Sequence, residues 1–147
     1  MKAAFASLAL AAALALAAPD ASAAVQEFGP EGSRFTLGVP EGWTATAKEL
    51  GVQLEKNDHS TSFEVDIHPT GGKSGQEVAD TLAKTLGFQC SQEGGSWLLT
   101  GEQDGVKIAV VVYVDEKEGR FMAVTMGGSD GEGMKQILGT LKDVPAK

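Results

Sequence analysis

The chain has 147 residues, 20 acids against 12 Lys and Arg for a net charge of −8, and one cysteine. A surface of that sign attracts neither the phosphates of nucleic acid nor an anionic membrane. One cysteine excludes an internal disulfide framework.

From the N-terminus, Met1-Lys2, the Ala/Leu run Ala3 to Ala18, then Pro19, Asp20 and Ala21-Ser22-Ala23-Ala24 follow the charged, apolar and A-x-A regions of a secretory signal peptide. The run falls short of the roughly 20 apolar residues that span a bilayer. The expectation is a soluble exported protein, periplasmic or secreted, cut after Ala23, with one residue later as the alternative. The residue just after that point is not Cys, as a lipoprotein would need; the cysteine of the chain is Cys90. Removing 23 of 147 residues leaves 124, enough for one domain with one core. Lys2 and Asp20 leave together, so the net charge is unchanged.

Residues 24–33, with Glu27, Gly29, Pro30, Glu31 and Gly32, have the composition of a flexible leader. The domain proper is expected over 34–147. Phe35, Leu37 and Val39 alternate as a first strand, which Pro40-Glu41-Gly42-Trp43 stops with turn residues. Thr44–Leu50 and Val52–Lys56 make two short strands about Gly51. After the turn Asn57-Asp58-His59-Ser60, the run Ser62–His68 points Phe63, Val65 and Ile67 inward and Glu64, Asp66 and His68 to solvent.

The period then changes from 2 to 3.6. Ser74-Gly75-Gln76-Glu77 has the capping-box pattern, Val78, Leu82, Leu86, Ala79 and Ala83 form an apolar stripe, and Gly87 takes the C-cap role. Strands follow over Phe88–Gln92 and Trp97–Glu102. Val106 to Gly127 then reads as an antiparallel hairpin turning at Glu116-Lys117-Glu118-Gly119. Both of its strands are apolar on both faces, so both need covering. Ser129-Asp130-Gly131-Glu132 repeats the capping pattern before a second amphipathic helix with Met134, Ile137, Leu138 and Leu141, weakened by Gly139. With no regular βαβ alternation, the fold class is α+β: a single mainly antiparallel sheet of about six to seven strands, with an amphipathic helix on each face.

The opening Arg34 to Trp43, "RFTLGVPEGW", followed by a β-rich half, an S-x-x-E helix, a return to strands and a terminal "ILGTLK" helix, resembles the PsbP-like superfamily, in particular its exported bacterial PsbP/DcrB-like domains of unassigned role. The resemblance runs from about Phe35 to Leu141. It implies an antiparallel sheet between helices and a binding or accessory role, and it supplies no catalytic residue.

Candidate chemistry is sparse. Gly72-Lys73-Ser74 before a helix has the ending of a phosphate-binding loop, but Ile67 stands where that motif needs glycine, and a capping loop explains it as well. His68, Asp66 and Glu64 share one outward strand face, joined across the hairpin by Glu55 and Gln53 and at its tip by His59. These are candidate ligands for zinc or copper, weighed against a solvated, aggregation-resistant face. Trp43 and Trp97 are candidate partner-binding aromatics, weighed against burial. Cys90 reads as a small buried side chain, or a thiol pairing between chains. The expected function is an exported, non-catalytic module without a cofactor, engaging a protein partner in the cell envelope. A small-ligand or metal-ion binding protein is the alternative, and a hydrolase the third.

Overall fold

The computed structural model describes residues 24–144. The expected signal peptide and its cleavage site fall on residues 1–23, outside them. Strands β1 (Ala24–Phe28) to β5 (Thr61–Pro69) come first, with β2 at Phe35–Val39, β3 at Trp43–Lys48 and β4 at Gly51–Lys56. Helix α1 (Gly75–Leu86) precedes β6 (Gln89–Glu93), β7 (Ser96–Gln103), β8 (Val106–Asp115) and β9 (Arg120–Gly128). Helix α2 (Gly131–Thr140) and the two-residue β10 (Lys142–Asp143) complete the order. No helix among the described residues is long and apolar enough to cross a membrane.

Seven strands form one sheet in the order β3-β4-β5-β9-β8-β7-β6, every neighbouring pair antiparallel. The β8–β9 hairpin lies in the middle, as its two apolar faces require. Its faces feed different cores. Val110 and Val112 pack with Leu99, Trp97 and the Val78, Ala79 and Ala83 stripe of α1. Val111 and Val124, one residue out of phase, pack with Val65, Phe63, Leu54 and Ile137 of α2 on the opposite face. The two helices therefore cover opposite faces of the sheet.

Two features depart from the sequence reading. Ala24–Phe28 is a strand paired with β2 in place of a flexible leader, because Phe28 sits opposite Phe35 and buries its ring against it, centroids 6.2 Å apart. And β2 belongs to a separate three-stranded sheet, β1-β2-β10, so that not all the β structure lies in one sheet. The reason is that Phe35 to Gly38 are all buried. Phe35 and Leu37 enter the core, while the small Thr36 and Gly38 meet the C-terminal end of α2, where the Gly38 amide donates to Thr140 Oγ1 at 2.7 Å. A strand wet on one face would not accept that second layer.

Helix ends follow local chemistry. Ser74 and Glu77 form the reciprocal capping box, and Gly87 adopts φ 73°, the left-handed conformation glycine tolerates. At α2 the cap is Asp130 in place of the expected Ser129, its Oδ1 accepting from the Gly133 amide at 2.9 Å.

If the faces hold separate cores, losses on the two should add. Ile137→Val is expected to cost about 0.5–1.5 kcal/mol and Leu99→Ala about 2–5 kcal/mol. Urea denaturation of the double variant should give their sum to within about 0.5 kcal/mol, and a coupling well above that would mean one continuous core.

Candidate functional site

The outward face of β4 and β5 is positioned by register. Glu55 lies opposite Ser62, Gln53 opposite Glu64 and Gly51 opposite Asp66, while Lys48 of β3 lies opposite Gly51. Gly51 leaves the space over which Lys48 reaches two strands across, to Glu64 and, at 3.5 Å, to Asp66. No larger residue fits there, since a Cβ on Gly51 would come within 1.7 Å of the Val65 carbonyl oxygen. The Glu64 contact is the main cause holding the Lys48 ammonium above its usual range. Asp66 is pushed above the usual aspartate range, chiefly by burial and then by the Glu64 charge, with Lys48 and His68 opposing.

The metal-ligand candidates do not converge. His59, in a left-handed turn at φ 63°, places Nδ1 at 3.2 Å from Glu55 Oε2, both side chains largely in solvent at 76% and 47% exposure. His68 lies at the other end of β5, its ring tilted over Phe121 at 5.4 Å. At strand rise, six residues from Ser62, opposite Glu55, to His68 span about 20 Å. Asp66 is held by Lys48. Among the described residues no group of three or more His, Cys, Asp or Glu side chains surrounds one point.

The tryptophans are core residues. Trp43 is 8% exposed and Trp97 9%, in the two opposite cores. Both rings take the buried position that was weighed against a partner-binding role for them. The Trp97 indole N–H finds no acceptor among the described residues. Cys90 is a free, half-buried thiol packed against the α1 core; burial first, then the Asp80 charge, raises its pKa and keeps it a poor thiolate.

The glycine loop before α1 has its helix-start amides engaged by the protein itself. The Glu77 amide donates to Ser74 Oγ at 3.2 Å, and the Gly75 amide donates to Glu116 Oε2 at 2.7 Å. Protein oxygens thus already occupy amides that a phosphate would need. At α2 Lys56 Nζ reaches Asp130 Oδ2 at 2.8 Å. That hydrogen bond, then the Gly133 amide, holds Asp130 below the usual carboxylate range. The sequence reading missed both Lys48 and Lys56. Gly51 was the available signal for Lys48, since a glycine between two charged strands opens a path across; Lys56–Asp130 spans 74 residues and had none.

No family model and no curated protein matches the sequence. Solved structures do share its fold. The Ran-binding protein Mog1p of Saccharomyces cerevisiae is similar at TM-score 0.54 and 13% identity over 82% of this chain and 95% of that one. A point mutant of the protein Mog1 is similar at 0.53 and 12%, over 80% and 94%. A crystal structure from Bacteroides thetaiotaomicron VPI-5482 follows at 0.51 and 10%, over 76% of this chain, which spans only 45% of that one. These similarities correct the resemblance to exported bacterial PsbP/DcrB-like domains: with no family match and a Ran-binding yeast protein among the neighbours, export is not a property the likeness carries. What the chain shares with these structures is the Mog1/PsbP-like α+β fold.

Asp66 gives a test with a definite sign. A carboxyl whose folded pKa lies above its unfolded one stabilises the fold below the unfolded pKa, and that contribution is lost as pH rises through the folded value. Asp66→Asn removes the titration, so relative to the parent chain it should gain stability as pH rises from the acid range to neutrality. Urea midpoints of the two proteins at acid and neutral pH check this; a gap that widens toward acid would reverse the assignment.

Proposed function

We propose that this chain is a non-catalytic module that binds a protein partner and works outside the cytoplasm. The observation that carries the first part is the match, over 82% of this chain and 95% of that one, to a protein described as Ran-binding. Ran itself is not implied, because a fold at this identity transfers no partner. Support for a non-catalytic role comes from how the polar side chains are engaged. Ser74 and Asp130 direct their oxygens to helix amides, His59 faces Glu55, and Lys48 is held between Glu64 and Asp66. The location rests on the sequence of residues 1–23 alone.

Cross-linking followed by affinity purification from the native compartment should recover one protein in near-equimolar amount. Native mass spectrometry showing instead a tightly held ion or small molecule, with no protein partner, would replace this reading with a ligand carrier. Intact mass of the protein recovered outside the cytoplasm should place its first residue at Ala24; an uncut chain retained inside the cell would refute export.

A further inference from the structure

Strand β1 is a strap with one anchor. It is the end strand of the small sheet and pairs with β2 alone, in consecutive register from Ala24 opposite Val39 to Phe28 opposite Phe35. Of its five residues only Phe28 enters the core; Ala24, Gln26 and Glu27 are exposed and Val25 is half-buried. Beyond Phe28 the chain is latched. The Arg34 guanidinium donates to the Gly29 and Glu27 carbonyls, and Arg120 donates to the Gly32 carbonyl at 3.3 Å and to Ser33 Oγ. The strap is therefore fixed at its Phe28 end and held at its Ala24 end by strand pairing. The seven-stranded sheet takes no strand from it, so most of the domain assembles without β1.

The processing site lies at the other end of the strap. Ala21-Ser22-Ala23 supplies the small residues of that site, and the bond to be cut joins Ala23 to Ala24. Ala24 is already the first paired residue of β1, so no spacer separates this bond from the sheet. With the cut one residue later, the bond would lie inside the strand, between two paired residues.

A protease takes its substrate extended, with main chain free on both sides of the bond. Cleavage of a folded chain therefore goes through local opening. Exposed loop tips and untied ends meet that condition, and a terminal strand tied into a sheet does not. Here Ala24 and Val25 must lift off Val39 and Gly38 before the bond can enter a catalytic cleft.

We infer that removal of the leader and docking of β1 compete: the peptidase acts on the chain while β1 is off the domain, and a chain whose strap closes first is protected from the cut. Hydrolysis adds one water across the Ala23–Ala24 amide, leaving a carboxylate on Ala23 and an ammonium on Ala24, and the freed strand then closes on β2. The inference rests on the export reading and adds the order of its two steps.

The probe is the full chain, residues 1–147, with a purified signal peptidase in detergent micelles, cleavage being followed by intact mass. A peptide of residues 15–30 reports the site without the domain. The peptide, and the chain diluted from urea straight into the enzyme, should be cut, whereas the chain folded beforehand should be cut about tenfold more slowly or worse. A Gly-Ser-Gly-Ser insert after Ala24 moves the bond away from the sheet and should restore the rate in the folded chain. Phe28→Ala removes the anchor and should also raise it, while the peptide carrying the same change is cut as before. A folded chain cut as fast as the peptide would overturn the inference, and so would protection that survives the insert. A peptide left uncut would take away the export reading, and this inference with it.

Discussion

The structure depends on burying the β8–β9 hairpin on both faces. Its residues alternate between two cores with no wet position between Val110 and Val112, and Val112 and Val124 are fully buried on opposite sides. A sheet whose centre is apolar above and below needs two covering layers, and a chain of this length supplies them from its two amphipathic helices. The β1-β2-β10 sheet follows from the same constraint. One ten-residue helix spans only part of a seven-stranded sheet, so Phe28, Phe35 and Leu37 complete the cover over β4 and β5.

Each helix is set on the sheet by the same pair of devices at its first turn. Gly75 of α1 rests on the Trp97 ring and Gly133 of α2 on the Trp43 ring; a Cβ at either would come within 3 Å of the indole. Beside each, a charged group from elsewhere in the chain meets the cap: Glu116 takes the Gly75 amide, and Lys56 pairs with the Asp130 cap. A carboxylate at a helix start also faces the positive end of the helix dipole. The tryptophans are thus posts on which the helices seat. That accounts for two bulky aromatics in a chain with few.

What could be read from the sequence was what depends on near neighbours. The Ser74-Glu77 capping box, the Gly87 stop, the turn before Arg120 and the two-sided hairpin are all local patterns, and they fixed both helices and their opposite placement. The place of β2 was not local. Phe35, Leu37 and Val39 alternate as well in a second layer as in the main sheet, and only the buried Thr36 and Gly38, meeting Thr140 and Lys142 over a hundred residues away, tell the two apart. The strand at Ala24 was hidden for a related reason, since its pairing depends on Phe28 finding Phe35. Among candidate site residues, His68, Asp66 and Glu64 were rightly placed on one face of one strand. That face is neutralised in part by Lys48, whose reach depends on the register of three strands.

Seen by quarters, the sheet has two covered regions and two open ones, and the open ones differ in kind. The outer face of β3, β4 and β5 is polar, with charges paired across strands, and water satisfies it. The β7–β8 strip beside α2 carries Tyr113, Ala109 and Leu98, apolar and partly open, while Met122 and Met126 of the neighbouring β9 pack against the α2-side core. Exposed apolar area of that kind works against stability, and substitutions to polar residues at Ala109 or Tyr113 would disturb neither core, since neither side chain belongs to one.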